Sequence, residues 1–568
     1  MVNLRRALVA VLLLALSVFA WLWFTRARRV DMAAYAPADS IIYAETDSLP
    51  AVFDAFTSSD AWRELAPAAG VGARPAWTGW LPGFVSFTGL GTADAVVLSR
   101  AQVAVAVLGF QAAEESETTL KLSPRVALVA ETHTSEWRVK GAVESLVGDF
   151  ARRTLGAPPL ERKEVDGVPF YLWAEQGGGR RKLVAAVEGS VAVVGNDEGA
   201  VRACLDVRRG ARPSLAGDGG LKEMRARLGG EGALAFGYAP RGSLTKGVEV
   251  FAPAFVGGVS QEPQIQSVMA TLLPQLVDRT LGDSGWAARA AGGGVEDVYF
   301  VTLAGGVSER LRAPLALAGG ADDAEAAALP ADAHQVSFYD FRSPEEAYRG
   351  TGAALSSQLD VAGAALVTLG LRALVKPFGV ENPREFLGAC GPRLATARLG
   401  AESEGKVLVA HVRDRAALRE QALARVGRGA RAEREGDVEL LVSSDPERGA
   451  AAFAGDLLLM GSEEDVRRCL EARRGGRTLR EAEALKAAPR AFLEGGGALV
   501  RTLADDRESA RAVLARFGGR ASAGQLEGAL ARRGYSVSES RLADTGFEKR
   551  TRSAFGVFGE LVTRLAPR

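Results

Sequence analysis

Cysteine is nearly absent, with Cys204, Cys390 and Cys469 as the only three in 568 residues. Three thiols cannot build a disulfide framework, so the fold must be held by packed cores, and the redox compartment stays open. Histidine is as scarce. His133, His334 and His411 never take the spacing of a metal-binding pair such as H-E-x-x-H, so no metal site is expected. An excess charge of either sign is missing too, because Lys plus Arg and Asp plus Glu are 69 each. No long-range field then draws the chain to nucleic acid, and none is expected as a partner. Tryptophan is missing from the second half, since Trp286 is the last of eight.

Long apolar runs are lacking as well, with one exception. After "MVNLRR" the stretch Ala7 to Phe24 carries no charge and is followed at once by "TRARR". As a helix it would be about 27 Å long, close to the ~30 Å hydrocarbon core of a bilayer. Trp21 and Trp23 lie where an interfacial aromatic belt belongs, and no A-x-A-like cleavage site follows. Residues 1–30 therefore read as a cytoplasmic tail and an uncleaved transmembrane anchor, with the lipid bilayer as partner and a cleaved signal peptide as the runner-up reading. Arg5 and Arg6 face Arg26, Arg28 and Arg29 across the run, so charge does not set its orientation. The next best stretch, Val361 to Leu371, is too short to span and ends at Arg372; it reads as a buried or interface helix.

What is present is repetition. "VRACLDVRRGAR" from Val201 recurs as "VRRCLEARRGGR" from Val466. "VEGSVAVVGN" answers "FAGDLLLMGS", "GEGALAFG" answers "GGGALVRT", "PADS" at Pro37 answers "PADA" at Pro330, and "LAGGVSERLR" at Leu303 resembles "LADTGFEKRTR" at Leu542. Similar segments in the same order indicate two tandem diverged copies, residues 37–320 and 328–568. In the repeated helix Val201, Cys204 and Leu205, like Val466, Cys469 and Leu470, fall at i, i+3 and i+4, which places the sulfur on the apolar face. Asn196 and Ser462 are the expected N-caps, Arg208, Arg209, Arg473 and Arg474 meet the C-terminal dipole, and Gly210 and Gly475 end the helices. Scaffold geometry accounts for the whole motif, in preference to a redox thiol beside arginines.

Strand-like "VALVAETH" and "KVLVAHVR", each followed by a helical stretch and a returning strand, indicate an α+β fold in which each copy is a mostly antiparallel sheet with packed helices. Ser343 with Pro344, Glu345 and Glu346 reads as a helix start. "EQGGGRRK" from Glu175 reads as a hairpin loop without the phosphate-cradle pattern.

The anchor, "PADS" followed by "IIYAETDSLPAVFDAF", the strand "VAVVGND", the helix "VRACLD" and the linker to "PSL" together resemble a bacterial family catalogued as domain of unknown function 3352. The resemblance covers nearly the whole chain after the anchor. It implies a single-pass protein of the inner membrane with its bulk periplasmic or extracytoplasmic, and it supplies no catalytic residues. The expected function is a membrane-tethered binding or structural module of the cell envelope, with an envelope protein as a possible partner.

Catalytic equipment is thin. Ser243 and Lys246 spell S-x-x-K, but S-D-N and K-T-G are missing and the second copy has Glu508 and Arg511 there. An envelope hydrolase using that pair is the alternative reading; no cofactor or catalytic residue is expected otherwise. Trp62, Trp77 and Trp80 cluster with Phe84 and Phe87 among Pro75, Gly79, Pro82 and Gly83. Those rings read either as ordinary core or as a recognition or membrane-surface patch.

Overall fold

The computed structural model describes residues 29–69, 91–116, 119–175, 181–257, 263–291, 293–319, 324–401, 405–427, 429–482, 485–486, 497–515, 523–531 and 533–565. Ala7 to Phe24 lies outside them. The fold is α+β, and the described residues contain twenty strands in a single antiparallel sheet.

Ten strands come from the first half: β1 (Ile42–Thr46), β2 (Gln102–Ser116), β3 (Thr119–Glu131), β4 (Leu160–Val165), β5 (Val168–Ala174), β6 (Lys182–Glu188), β7 (Val191–Gly195), β8 (Ala235–Ala239), β9 (Leu281–Ala291) and β10 (Gly294–Leu303). Ten come from the second: β11 (Gln335–Asp340), β12 (Cys390–Arg398), β13 (Val407–Val412), β14 (Arg431–Glu435), β15 (Val438–Val442), β16 (Ala450–Ala454), β17 (Leu457–Gly461), β18 (Val500–Asp505), β19 (Tyr535–Ala543) and β20 (Gly546–Ser553). Pairing runs β4-β5-β6-β7-β3-β2-β1-β8-β9-β10. The second half pairs in the corresponding order, β14-β15-β16-β17-β13-β12-β11-β18-β19-β20.

Two separate sheets were the expectation; β10 and β20 instead pair antiparallel and fuse them. The physical reason is the edge, since an unpaired strand presents a row of unsatisfied amides and carbonyls. The register is symmetric. Val298 and Arg550, each four residues beyond the glycine that opens its strand, lie opposite one another. A Cβ on Gly294 would collide with the Ser553 carbonyl, and one on Gly546 with the Val301 carbonyl. The outer edges, β4 "LERKEV" and β14 "RAERE", are instead blunted by charge.

Helices knit the halves together on the same plan. Leu49–Thr57 and Asp60–Ala68 of the first half pack with Arg507–Ala515, Ala523–Ala531 and Gly556–Leu565 of the second, where the Phe56 and Phe555 rings stack at 4.8 Å. Reciprocally, Pro344–Ser356 and Val361–Val375 of the second half pack with Val307–Arg312 and Pro263–Thr280 of the first. Val298 and Phe300 join the first-half core while Val295 joins the inter-half helical core, so the seam is covered on both faces.

Two sequence readings need correction. Leu303 ends β10 whereas Leu542 lies within β19, so those two segments do not occupy matching places in the pairing order. Of the two roles expected for the Val361 helix, interface and buried, it takes the first, packing on Pro263–Thr280; it is not too short, since with its 3-10 extension to Phe378 it reaches 18 residues, long and apolar enough to cross a membrane, and only 22% of it is buried. It continues past Arg372 because Leu371, Ala373 and Leu374 keep helical propensity up to Pro377. Ser343 caps its own helix as expected, accepting from Glu346 N at 3.3 Å.

The seam glycines generate a test. Gly294→Ala and Gly546→Ala force a methyl against a carbonyl, and each is expected to cost about 1–3 kcal/mol, the range of an overpacking defect. Equal losses in urea melts of the two variants are the expected result.

Candidate functional site

The repeated helices are Glu198–Arg208 and Glu463–Arg474, and they bury Val201, Cys204 and Leu205 or Val466, Cys469 and Leu470. Cys204 is 1% exposed and Cys469 0%. Burial pushes all three thiols, Cys390 included, up to about 12, because desolvation disfavours the thiolate. The N-cap of the first helix is Asp197, which accepts from Ala200 N at 2.9 Å. Asn196 is used elsewhere, accepting from Val126 N and donating to Pro124 O to tie down β3. Ser462 caps the second helix as expected. Gly210 is left-handed (φ 74°), but in the second helix the left-handed residue is Gly476 (φ 64°), one beyond Gly475. The arginines do more than meet the dipole. Arg208 Nη1 donates to Glu188 O at 2.5 Å, Arg209 bonds the Glu188 carboxylate, and Arg473 and Arg474 pair with Asp437 and Glu435. They clamp the neighbouring hairpin turns.

A polar latch occurs at one matched place in each half. Glu131 pairs with Val191, the first residue of β7, and His411 pairs with Leu457, the first residue of β17. Each is reached by the 3-10 turn that precedes its half: Tyr35 donates to Glu131 at 3.2 Å, and Glu325 lies 3.0 Å from His411 Nε2. His411 Nδ1 faces Asp456 at 3.5 Å, and Glu325 is 2% exposed. With carboxylates at both ring nitrogens, the imidazolium is the form that satisfies them. The Glu325 contact raises the His411 pKa, opposed by burial and by Arg393, with Asp456 adding to the rise.

A ladder of charge runs along the seam. Facing rows of β18, β19, β20 and β10 hold Arg501, Arg541, Arg550 and Arg552 against Glu296, Glu539 and Glu548. Arg541 donates twice to Glu548 Oε2, at 2.9 and 2.7 Å, and Arg550 donates to Oε1 at 2.7 Å. Burial alone would raise the Glu548 pKa, but these bonds hold it below the ordinary carboxylate range. Arg552 donates to Glu296 at 2.7 Å.

At the Arg541 end of this ladder opens a cavity of about 510 Å³. Its first-half wall is Arg312 with Leu315 to Leu317, and its second-half wall is Gly497, Leu499 and Arg541 to Asp544. The volume falls within the ~300–1,000 Å³ of small-molecule sites. Sequence reasoning missed it, because its walls are an inter-half connection, a strand entrance and a hairpin turn with no motif in common.

The residues singled out from sequence do not assemble into one site. Trp62 is core, 6% exposed and 5.2 Å from Phe56. Trp77, Trp80, Phe84 and Phe87 lie outside the described residues. Ser243 is 7% exposed whereas Lys246 is exposed, and among the described residues no hydrogen bond joins the two. No group of three His, Cys, Asp or Glu residues with metal-holding geometry occurs among the described residues. No family model, curated protein or solved structure matches the chain.

Two outcomes follow for these groups. The native chain should take up no maleimide at its three cysteines and react fully after unfolding in urea. His411 has a raised native pKa, so its stabilising increment is fully present below the unfolded value of about 6.5 and is lost as pH rises through the native value. His411→Gln should flatten that part of the stability–pH curve, measured by urea melts from acid to mildly alkaline pH.

Proposed function

We propose that this chain is a membrane-tethered binding or structural module of the bacterial cell envelope. In this reading Ala7 to Phe24 crosses the inner membrane once and the body is extracytoplasmic. Residues 37–320 and 328–568 are diverged copies of one α+β unit, fused through equivalent strands as a homodimer would be. Support for the duplication comes from the two strand orders and from matched bridges, Pro37 to Ser214 and Pro330 to Thr478. Both bridges seat the repeated "PAD" turn against the end of the repeated helix. Support for the location comes from the anchor's composition and from the resemblance to the domain of unknown function 3352 family.

The observation that carries the binding role is the inter-half cavity. Neither half encloses it alone, so fusion creates a concave site lined by residues of both, Arg312 and Leu317 from the first and Leu499 and Arg541 from the second. Activation of Ser243 by Lys246 would require the two within hydrogen-bond reach, and their unlike environments do not favour the hydrolase alternative.

Protease treatment of intact spheroplasts tests the location. Loss of the body, with a short membrane-protected N-terminal fragment left behind, is the expected result. Full protection until lysis would place the body in the cytoplasm and overturn the reading.

A further inference from the structure

We propose that Trp137 and Arg138 form the surface through which the body meets the bilayer, with the indole in the head-group layer and the guanidinium against lipid phosphate. The proposal rests on the membrane-tethered reading above and adds which face of the body lies on the lipid.

Reach argues for the membrane. In the tethered reading the apolar run ends at Phe24, and six residues later Val30 is already fastened to the sheet. Val30 N donates to Gln102 Oε1 at 2.9 Å, and Gln102 Nε2 donates back to Val30 O at 3.0 Å. Six residues span at most about 22 Å, so this corner of the body stays close to the bilayer. Gln102 opens β2 opposite Glu131 at the end of β3, and His133 Nε2 lies 3.1 Å from the same Gln102 oxygen. Trp137 follows four residues after His133, a reach of at most about 14 Å.

Exposure argues for the ring. Trp137 is 70% exposed, whereas Trp62, Trp173 and Trp286 pack in or against cores. Arg138 places its guanidinium 5.2 Å from the Trp137 ring centre, so ring and cation are presented together. An indole joins an apolar body to a polar N–H, which suits the head-group layer, and a guanidinium fork suits phosphate. Arg29, beside Val30, and Arg100, two residues before Gln102, are exposed as well.

The duplication supplies the contrast. The second-half helix Arg415–Val426 starts after Asp414 as the first-half helix Glu136–Ala142 starts after Ser135. Four residues beyond the two caps, Val139 and Leu418 are both buried, which fixes the correspondence. Trp137 and Arg138 then answer to Ala416 and Ala417. Packing does not demand the ring, because Ala416 is exposed at the matched position. The aromatic and its cation occur only in the copy that the apolar run precedes.

Full-length protein with an environment-sensitive fluorophore at Ser135→Cys, reconstituted in nanodiscs containing phosphatidylglycerol, tests the contact. Ser135 is exposed and its side chain makes no cap bond, so the change spares the fold, and the three native thiols are buried and stay unlabelled. A control label at the exposed Gln111→Cys sits nine residues along β2, about 30 Å from Gln102. Lipid bearing a doxyl group near its head should quench the Ser135 label about twofold more than the Gln111 label. Replacing Trp137 and Arg138 by Ala, both exposed changes, should remove that difference. Equal quenching at the two positions would overturn the face, and a difference that survives the double variant would overturn the two side chains as its cause. Shielding of the Ser135 label from aqueous iodide without quenching by lipid would give the surface to a second copy of the chain and overturn the lipid. Protein that elutes apart from the nanodiscs would overturn the tether itself, so failure of that reading and failure of the contact are told apart.

Discussion

The antiparallel pairing of β10 with β20 is the contact on which the rest of the molecule depends. Eight residue pairs, from Val295 with Ser553 to Thr302 with Gly546, close two open edges at once. Sheets of more than about ten strands curl or split, and here each half contributes ten before the seam is reached. The seam therefore joins two units that are each at the ordinary limit. Glycine opens both central strands because the partner's carbonyl lies where a side chain would begin.

Burial on both faces makes the seam an interior. One face is sealed by helices exchanged between the halves, Phe56 and Trp62 against Val513 and Phe555. The other combines Val298 and Phe300 with rows of arginine and glutamate. A buried ion ladder is a weak source of stability, since desolvation offsets most of the Coulomb gain. Its value lies in registry, because shifting β20 by one residue would turn Glu548, Arg550 and Arg552 to the opposite face.

The halves have diverged where they touch different neighbours. At the matched ends of β3 and β13 the first half uses Tyr35 with Glu131, and the second uses Glu325 with His411. Both tie a short 3-10 turn to the sheet, but only the second sets an imidazole between two carboxylates. Trp62 shows a related asymmetry: it fills a core made with second-half helices, whereas the reciprocal core uses Met269 and Leu366.

By itself the sequence determined the local elements. Alternating apolar runs placed the strands, the i, i+3, i+4 spacing placed Cys204 and Cys469 inside, and Ser343 and Ser462 marked helix starts, because capping and side-chain periodicity are fixed within a few residues. It erred by one residue at Asn196 and Gly475, where neighbouring polar or glycine residues compete for the same role and only tertiary partners choose between them. Tertiary structure alone decided that the sheets fuse, that Leu303 and Leu542 are not counterparts, and that Arg312 and Arg541 line one cavity. Those outcomes depend on contacts between residues more than two hundred positions apart, and no local pattern in the chain encodes such a distance.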